Sequence, residues 1–234
     1  MIKQTSLALA ALTAGLTAQA QDAAPAAEGS ALSVTVDVTY VSDYVFRGAK
    51  LGGASIQPSV EAAYGDFYAG AWHTSELSNT TANATETDLY AGYGLALTDT
   101  LSLDAGVTRY TYEGGSNDDT TEVYVGLSAD VLLSPSLYYY YDFDLETYTV
   151  EASVGYSLPI DAVNTSLDLS GAVGHVGAPG EDRTYFVVGA AVPYALSETA
   201  TLTVGVDYIL NDSDRLIDGD EDGVVGYAGV SIGF

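Results

Sequence analysis

From position 32 onward, apolar and polar residues alternate through most of the chain. "LSVTVDVTY" puts Leu32, Val34, Val36, Val38 and Tyr40 on one face and Ser33, Thr35, Asp37 and Thr39 on the other. The same alternation recurs in "SIQPSVEAAY", "TDLYAGYGLAL", "LSLDAGVTRY", "TEVYVGLS", "SLYYYYDF", "TYTVEASVGY", "SLDLSGAV", "TLTVGVDY" and the closing "VSIGF". A period of two marks strands with one apolar and one polar face. Two further segments, 67–75 and 184–194, read as strands of open facing. A Gly65-Asp66 hairpin turn would send Phe67 outward and Trp72 inward. "YFVVGAAVPY" is apolar on both faces. The pattern predicts twelve strands; ten or fourteen also fit.

The connectors fall into two sets. "GD", "TDT", "DVLLSP", "SLPIDAVN" and "ALSETA" are tight, whereas "GAKLGGA", "ELSNTTANAT", "EGGSNDDT", "GAPGED" and "NDSDRLIDGDEDG" are generally longer and richer in Gly, Asn and Asp. "DFDLE" is a short exception. An even strand number with short turns at one end and longer loops at the other is the pattern of an outer-membrane barrel. Soluble sandwiches and lipocalin-like barrels alternate too. The polar face decides between them. It carries Asp37, Glu61, Asp88, Asp104, Glu122, Glu151, Asp168 and Asp207, and a small soluble core could not hold so many unpaired carboxylates. The expected fold is therefore an all-β, antiparallel transmembrane barrel, apolar toward lipid and acidic toward a watery lumen. Tyr40, Tyr44, Tyr64, Tyr139, Tyr141, Tyr148, Tyr156 and Tyr208 lie on apolar faces near strand ends, where aromatic girdles belong. Pro58 removes a ladder donor, which a bulge would absorb.

Residues 1–20 read as a cleaved signal peptide: Lys3, a short apolar stretch, then "AQA". Residues 21–30 form a flexible leader and 31–234 the barrel. Val230, Ile232 and Phe234 share the lipid-facing parity of a closing strand. A terminal aromatic with apolar residues two and four positions earlier resembles the insertion signal of bacterial outer-membrane proteins. The expected location is the outer membrane of a Gram-negative bacterium, reached by secretion to the periplasm. The expected partners are its lipid and lipopolysaccharide and the outer-membrane assembly machinery. The pattern specifies no oligomeric state.

Net charge is −26 and there is no cysteine. So acidic a chain repels phosphates, which excludes nucleic acid as a partner, and disulfides take no part in the fold.

"YVSDYVFRG", Tyr40 to Gly48, resembles the signature of the TorF-type outer-membrane porin family, a conserved proteobacterial secreted family. "GDFYAGAW" and "ETDLYAGYG" resemble that family too, and the likeness runs from about Val34 to Phe234. It implies an outer-membrane location and a porin-like role, and it supplies neither a substrate nor catalytic residues to carry over. Read as a continuation of the first strand, "SDYVFRG" puts Asp43 and Arg47 near each other on the lumen side and Tyr44 and Phe46 toward lipid. Asp43 and Arg47 then form a structural ion pair or a charged constriction.

Two histidines, His73 and His175, and no cysteine leave little for a zinc or redox site. Neither histidine sits in a motif of a barrel hydrolase. "DGDEDG" matches the first half of a calcium loop, with Asp218, Asp220 and Asp222 as ligands, but position twelve is Gly229 and not the bidentate Glu. A partial Ca2+ site and a solvated acidic loop are both compatible with it. Arg109 has outward parity at a strand end, placed for lipid phosphates or plain exposure. The functional expectation is a passive channel for small solutes that prefers cations through its acidic lumen. The alternative is a structural or adhesive barrel whose lumen is plugged by Tyr90, Tyr110, Tyr112, Tyr124, Tyr138 and Tyr140.

Overall fold

The computed structural model describes residues 32–78, 85–113, 118–212 and 222–234. The expected signal and leader lie outside these residues. Fourteen strands follow in chain order: β1 (Leu32–Val41), β2 (Tyr44–Phe46), β3 (Ala49–Gly52), β4 (Ser55–Tyr64), β5 (Phe67–Glu76), β6 (Glu86–Ala96), β7 (Leu101–Tyr112), β8 (Thr120–Ala129), β9 (Ser136–Asp142), β10 (Thr147–Ile160), β11 (Thr165–Ala178), β12 (Glu181–Ala195), β13 (Ala200–Asn211) and β14 (Asp222–Gly233). Twelve of them, β1 and β4 to β14, make a closed antiparallel barrel, and β2 and β3 form a separate hairpin.

Closure follows from pairing the last strand with the first. Val38 opposes Val230 and Val36 opposes Ile232. The Phe234 N–H donates to the Val34 carbonyl at 2.9 Å, and the Val34 N–H donates to the Phe234 carbonyl at 3.2 Å. No backbone edge is left open at this seam, and the sheet closes on itself. The exposed row runs around the outside through residues such as Val38, Leu89, Val107, Val125, Val150, Leu169, Val188 and Val204. Tyr40, Tyr64, Tyr139, Tyr148, Tyr156 and Tyr208 are exposed on the same side.

The two open segments resolve. Tyr64 pairs with Phe67 across the Gly65-Asp66 turn, so Phe67 points out and Trp72 in. On β12, Phe186 and Val188 face outward while Tyr185 and Val187 face inward. Pro58 is absorbed without a bulge: the β4–β5 ladder skips Gln57 and Pro58 and resumes in the same register, Ile56 to Ser75 and Ser59 to Trp72. The loop expected at "GAPGED" is only a two-residue turn, because Pro179-Gly180 suits a tight reversal between β11 and β12.

Six inward tyrosines share one packing rule. Tyr68, Tyr90, Tyr124, Tyr138, Tyr185 and Tyr227 lie opposite Gly92, Gly70, Gly106, Gly126, Gly174 and Gly205 in the ladders. Each ring covers its glycine so closely that a β-carbon there would collide with it. The pairing lets large rings lie along the inner wall, a cross-strand aromatic cover of glycine.

Candidate functional site

The largest departure from the sequence pattern is at "SDYVFRG". This segment does not continue β1. The chain leaves the barrel wall after Val41, and Ser42 is held by β14: its N–H donates to the Gly226 carbonyl at 2.8 Å, and its hydroxyl accepts the Gly226 N–H at 3.0 Å. The hairpin β2–β3 then folds into the barrel interior. Arg47 and Gly48 form its tip, both with positive φ, 48° and 75°. That geometry is the two-residue turn matching strand twist, in which the first position usually belongs to Asn or Asp. Placing arginine there costs roughly 1–2 kcal/mol of backbone strain, which contacts must offset.

Those contacts cross the lumen. Arg47 donates from both terminal nitrogens to Glu122 on β8, at 2.6 and 2.8 Å. Its guanidinium also lies 4.2 Å from the Tyr140 ring centroid and 4.7 Å from that of Phe46. The Tyr110 hydroxyl donates to the same Glu122 at 3.0 Å. On the opposite wall Arg183 donates to the Arg47 carbonyl at 3.0 Å and Asn211 to the Gly48 carbonyl at 2.8 Å. Tyr44 is not lipid-facing; it is buried against Trp72 and donates to Glu86 at 2.7 Å. Val45 packs in an apolar cluster with Val176, Val187, Ile209 and Val225 of the inner wall. The return of the hairpin is held by the Gly53 N–H donating to Glu76 at 3.0 Å.

The Asp43–Arg47 pair does not form. Asp43 pairs with Lys50 inside the hairpin at 2.8 Å, and Arg47 points across the lumen. Arg47 is itself the first residue of the tip turn, with left-handed backbone, and a register shift falls between Tyr44 and Val45, so its side chain no longer shares the parity of Asp43; the turn brings Lys50 back beside Asp43 instead. Burial alone would lower the Arg47 pKa, but the Glu122 carboxylate more than offsets this and raises it. Burial, then the Glu86 carboxylate, pushes the Tyr44 phenol well above its usual value, so it stays a donor.

All eight acids of the polar parity sit on the inner wall, in two zones. Asp37, Glu61, Asp104 and Asp168 are half-buried. Asp88, Glu122, Glu151 and Asp207 are no more than 7% exposed. Thr39 donates to Asp37 at 2.8 Å, Tyr90 to Glu61 at 3.1 Å, Tyr68 and Tyr138 to Asp104 at 2.8 and 3.3 Å, Ser157 to Asp168 and Tyr185 to Glu151. The Tyr68 and Tyr124 hydroxyls are 2.5 Å apart. Neither oxygen of Asp88 meets a protein donor. Glu76, Glu86 and Asp142 join the buried acids. Each shares parity with an inward residue two positions away, and that spacing is the signal in the sequence that could have found them. Arg183 also has inner parity and so adds a second cation beside Arg47.

His73 and His175 both lie on the outward parity, 2.9 Å from the Thr87 hydroxyl and 3.2 Å from the Thr184 hydroxyl. Arg109 sits at the loop-end rim and bonds Thr121 at 2.8 Å, with Asp119 and Asp144 at 3.4 and 3.6 Å. Among the described residues no cluster of acids and histidines could hold a metal ion. Asp218 and Asp220 lie outside the described residues; Asp222 opens β14.

Solved structures with this architecture include the KdgM porin, at 14% identity and TM-score 0.62, covering 86% of this chain and 99% of that one. A KdgM porin in complex with disordered oligogalacturonate matches at 12% identity and TM-score 0.58, covering 86% and 99%. An outer membrane channel from Pseudomonas putida F1 matches at 12% identity and TM-score 0.57, covering 92% and 100%. At such identities the likeness is one of fold. No curated protein matches the chain. The TorF name has no counterpart among these matches. The family profile described as "Bacterial protein of unknown function (Gcw_chp)" matches residues 24–216, and the chain belongs to that family.

Proposed function

We propose that this protein is a porin-like channel of the Gram-negative outer membrane that passes small solutes passively and prefers cations. The observation that carries the reading is the radial split of the barrel: a continuous apolar row outside and carboxylates from eight strands inside. The chain-end rim, with its short turns, faces the periplasm, and the hairpin lies toward the outside. Residues 1–20 direct export and are then removed. Lipid and lipopolysaccharide surround the wall, and the assembly machinery engages the closing residues Val230, Ile232 and Phe234. Ca2+ at Asp218, Asp220 and Asp222 is at most an accessory of a loop. The role is non-enzymatic.

The oligogalacturonate in complex with one similar porin is a polyanion. The acidic interior here opposes such a solute, since rings of carboxylates favour cation passage. A specific observation also supports the second reading, a filled barrel: the hairpin, with Tyr44 and the wall tyrosines Tyr110 and Tyr140 packed around it, occupies the loop-side half of the lumen. In the channel reading that hairpin is the constriction and must yield for solutes to cross. Single-channel recording of the purified protein in planar bilayers separates the two. Discrete conductance steps support the channel; a silent bilayer containing folded protein supports the filled barrel.

A further inference from the structure

We infer that the eight inward acids form two sets with different roles. Asp37, Glu61, Asp104 and Asp168 face the solute path and set its selectivity, whereas Asp88, Glu122, Glu151 and Asp207 line the seat of the hairpin. The role in selectivity rests on the channel reading; the division itself depends only on which carboxylates reach water.

Burial along the inner rows shows where the boundary lies. On β1, Ser33 and Thr35 are exposed, Asp37 is half-buried at the boundary with its Oδ2 already shielded from solvent, and Thr39 and Val41 are buried. On β7, Ser102, Asp104 and Gly106 are half-buried, while Thr108 and Tyr110 are buried. On β11, Asp168, Ser170 and Ala172 are half-buried, while Gly174 and Val176 are buried. Three separate walls therefore give one picture. The half of the lumen near the chain ends is an open vestibule, and the half near the loops is occupied by β2–β3.

Charge follows the same boundary. The described cations of the interior, Arg47, Lys50 and Arg183, all belong to the hairpin or its seat. Arg109 is on the outer parity. No described lysine or arginine lies among the inner-row residues of the vestibule, so the charge its wall presents is negative. That field is focused by the low-dielectric wall and acts on whatever enters. In the seat, Glu122 is matched by Arg47 and Glu151 is bonded by Tyr185, while both oxygens of Asp88 and the Oδ2 of Asp207 are buried without a protein donor; hydrogen bonds occur in both zones, and burial is what separates them. Those acids act on the hairpin and its seat and not on a passing ion. Sequence parity alone makes all eight equivalent; the infolded hairpin separates them.

The test uses the wild-type folded protein in detergent. A water-soluble carbodiimide with a small amine converts accessible carboxylates to amides, which peptide mass spectrometry locates residue by residue. The expected result is labelling of Asp37, Glu61, Asp104 and Asp168 in the folded barrel, with Asp88, Glu122, Glu151 and Asp207 labelled only after unfolding. Equal labelling of both sets, or protection of the first set, would overturn the division whether or not the protein conducts. A second arm uses Asp104→Asn with Asp168→Asn against Glu151→Gln in bilayers. Loss of cation preference in the first pair alone supports the assignment, and loss in Glu151→Gln alone overturns it. Silence of all variants and of wild type refutes the channel while leaving the labelling result to decide the division.

Discussion

Arg47 and Glu122 stand 75 residues apart in sequence and meet as a two-point ion pair, 2.6 and 2.8 Å, inside the barrel. The pair joins the tip of the infolded hairpin to the wall on β8. Both partners are buried, so removing one leaves the other charged and unmatched. Breaking such a pair costs about 3–5 kcal/mol, and here the cost falls on the seated hairpin more than on the barrel ladders.

Loosening the hairpin should therefore open the lumen. Arg47→Ala and Glu122→Gln each increase single-channel conductance or the fraction of time spent open, with the folded barrel retained. The double variant falls short of the sum of the two single effects, because both remove the same contact. Heat-modifiability on gels checks the fold and bilayer recording checks the opening. Unchanged conductance in both single variants would show that the pair does not hold the constriction.

The glycine–tyrosine pairs give a second prediction. Gly174 lies under the Tyr185 ring, whereas a β-carbon at Gly94 meets nothing within 4 Å. Gly174→Ala therefore displaces Tyr185 from its bond to Glu151, with an overpacking cost of roughly 1–3 kcal/mol. Gly94→Ala is close to neutral. Urea titration of the barrel refolded in lipid vesicles measures both, and equal stabilities would refute the covering role of the ring.

The outer row makes the third. Val125 is exposed near the middle of β8, and Val125→Arg places a charge against hydrocarbon. The expected loss is roughly 2–4 kcal/mol if the site lies at the bilayer midplane. Thr35→Arg, on the exposed inner row of β1, leaves folding in vesicles unchanged. Reversed sensitivities would mean that the barrel is inside out.

The barrel was legible in the sequence because the outside and the inside of its wall take opposite polarity at alternate residues, and ten segments obey that rule. The strands that did not obey it have a physical reason. On β12, Tyr185 and Val187 are apolar on the inner face, where the hairpin packs, while Phe186 and Val188 are apolar on the exposed outer face. A period of two cannot tell two apolar environments apart. The hairpin itself was hidden by its turn. Arg47-Gly48 is not a usual pair for a tight reversal, and Val41, Asp43, Val45 and Arg47 happen to preserve the alternation of β1. The run of Gly48, Gly52 and Gly53 was the cue that the chain reverses there. The inward parity of the eight acids could be read, but not their separation into two zones, which depends on a contact between residues 75 apart.

Whether the acidic interior selects cations is decided by the reversal potential across a KCl gradient. Wild type should give the sign of a cation-selective pore. The selectivity weakens in Asp104→Asn with Asp168→Asn. It weakens again in acid, where protonation of the carboxylates removes the charge. Salt reduces it without reversing it, since the Debye length is about 10 Å at 0.1 M. A wild-type pore that selects anions would contradict the charge mechanism outright.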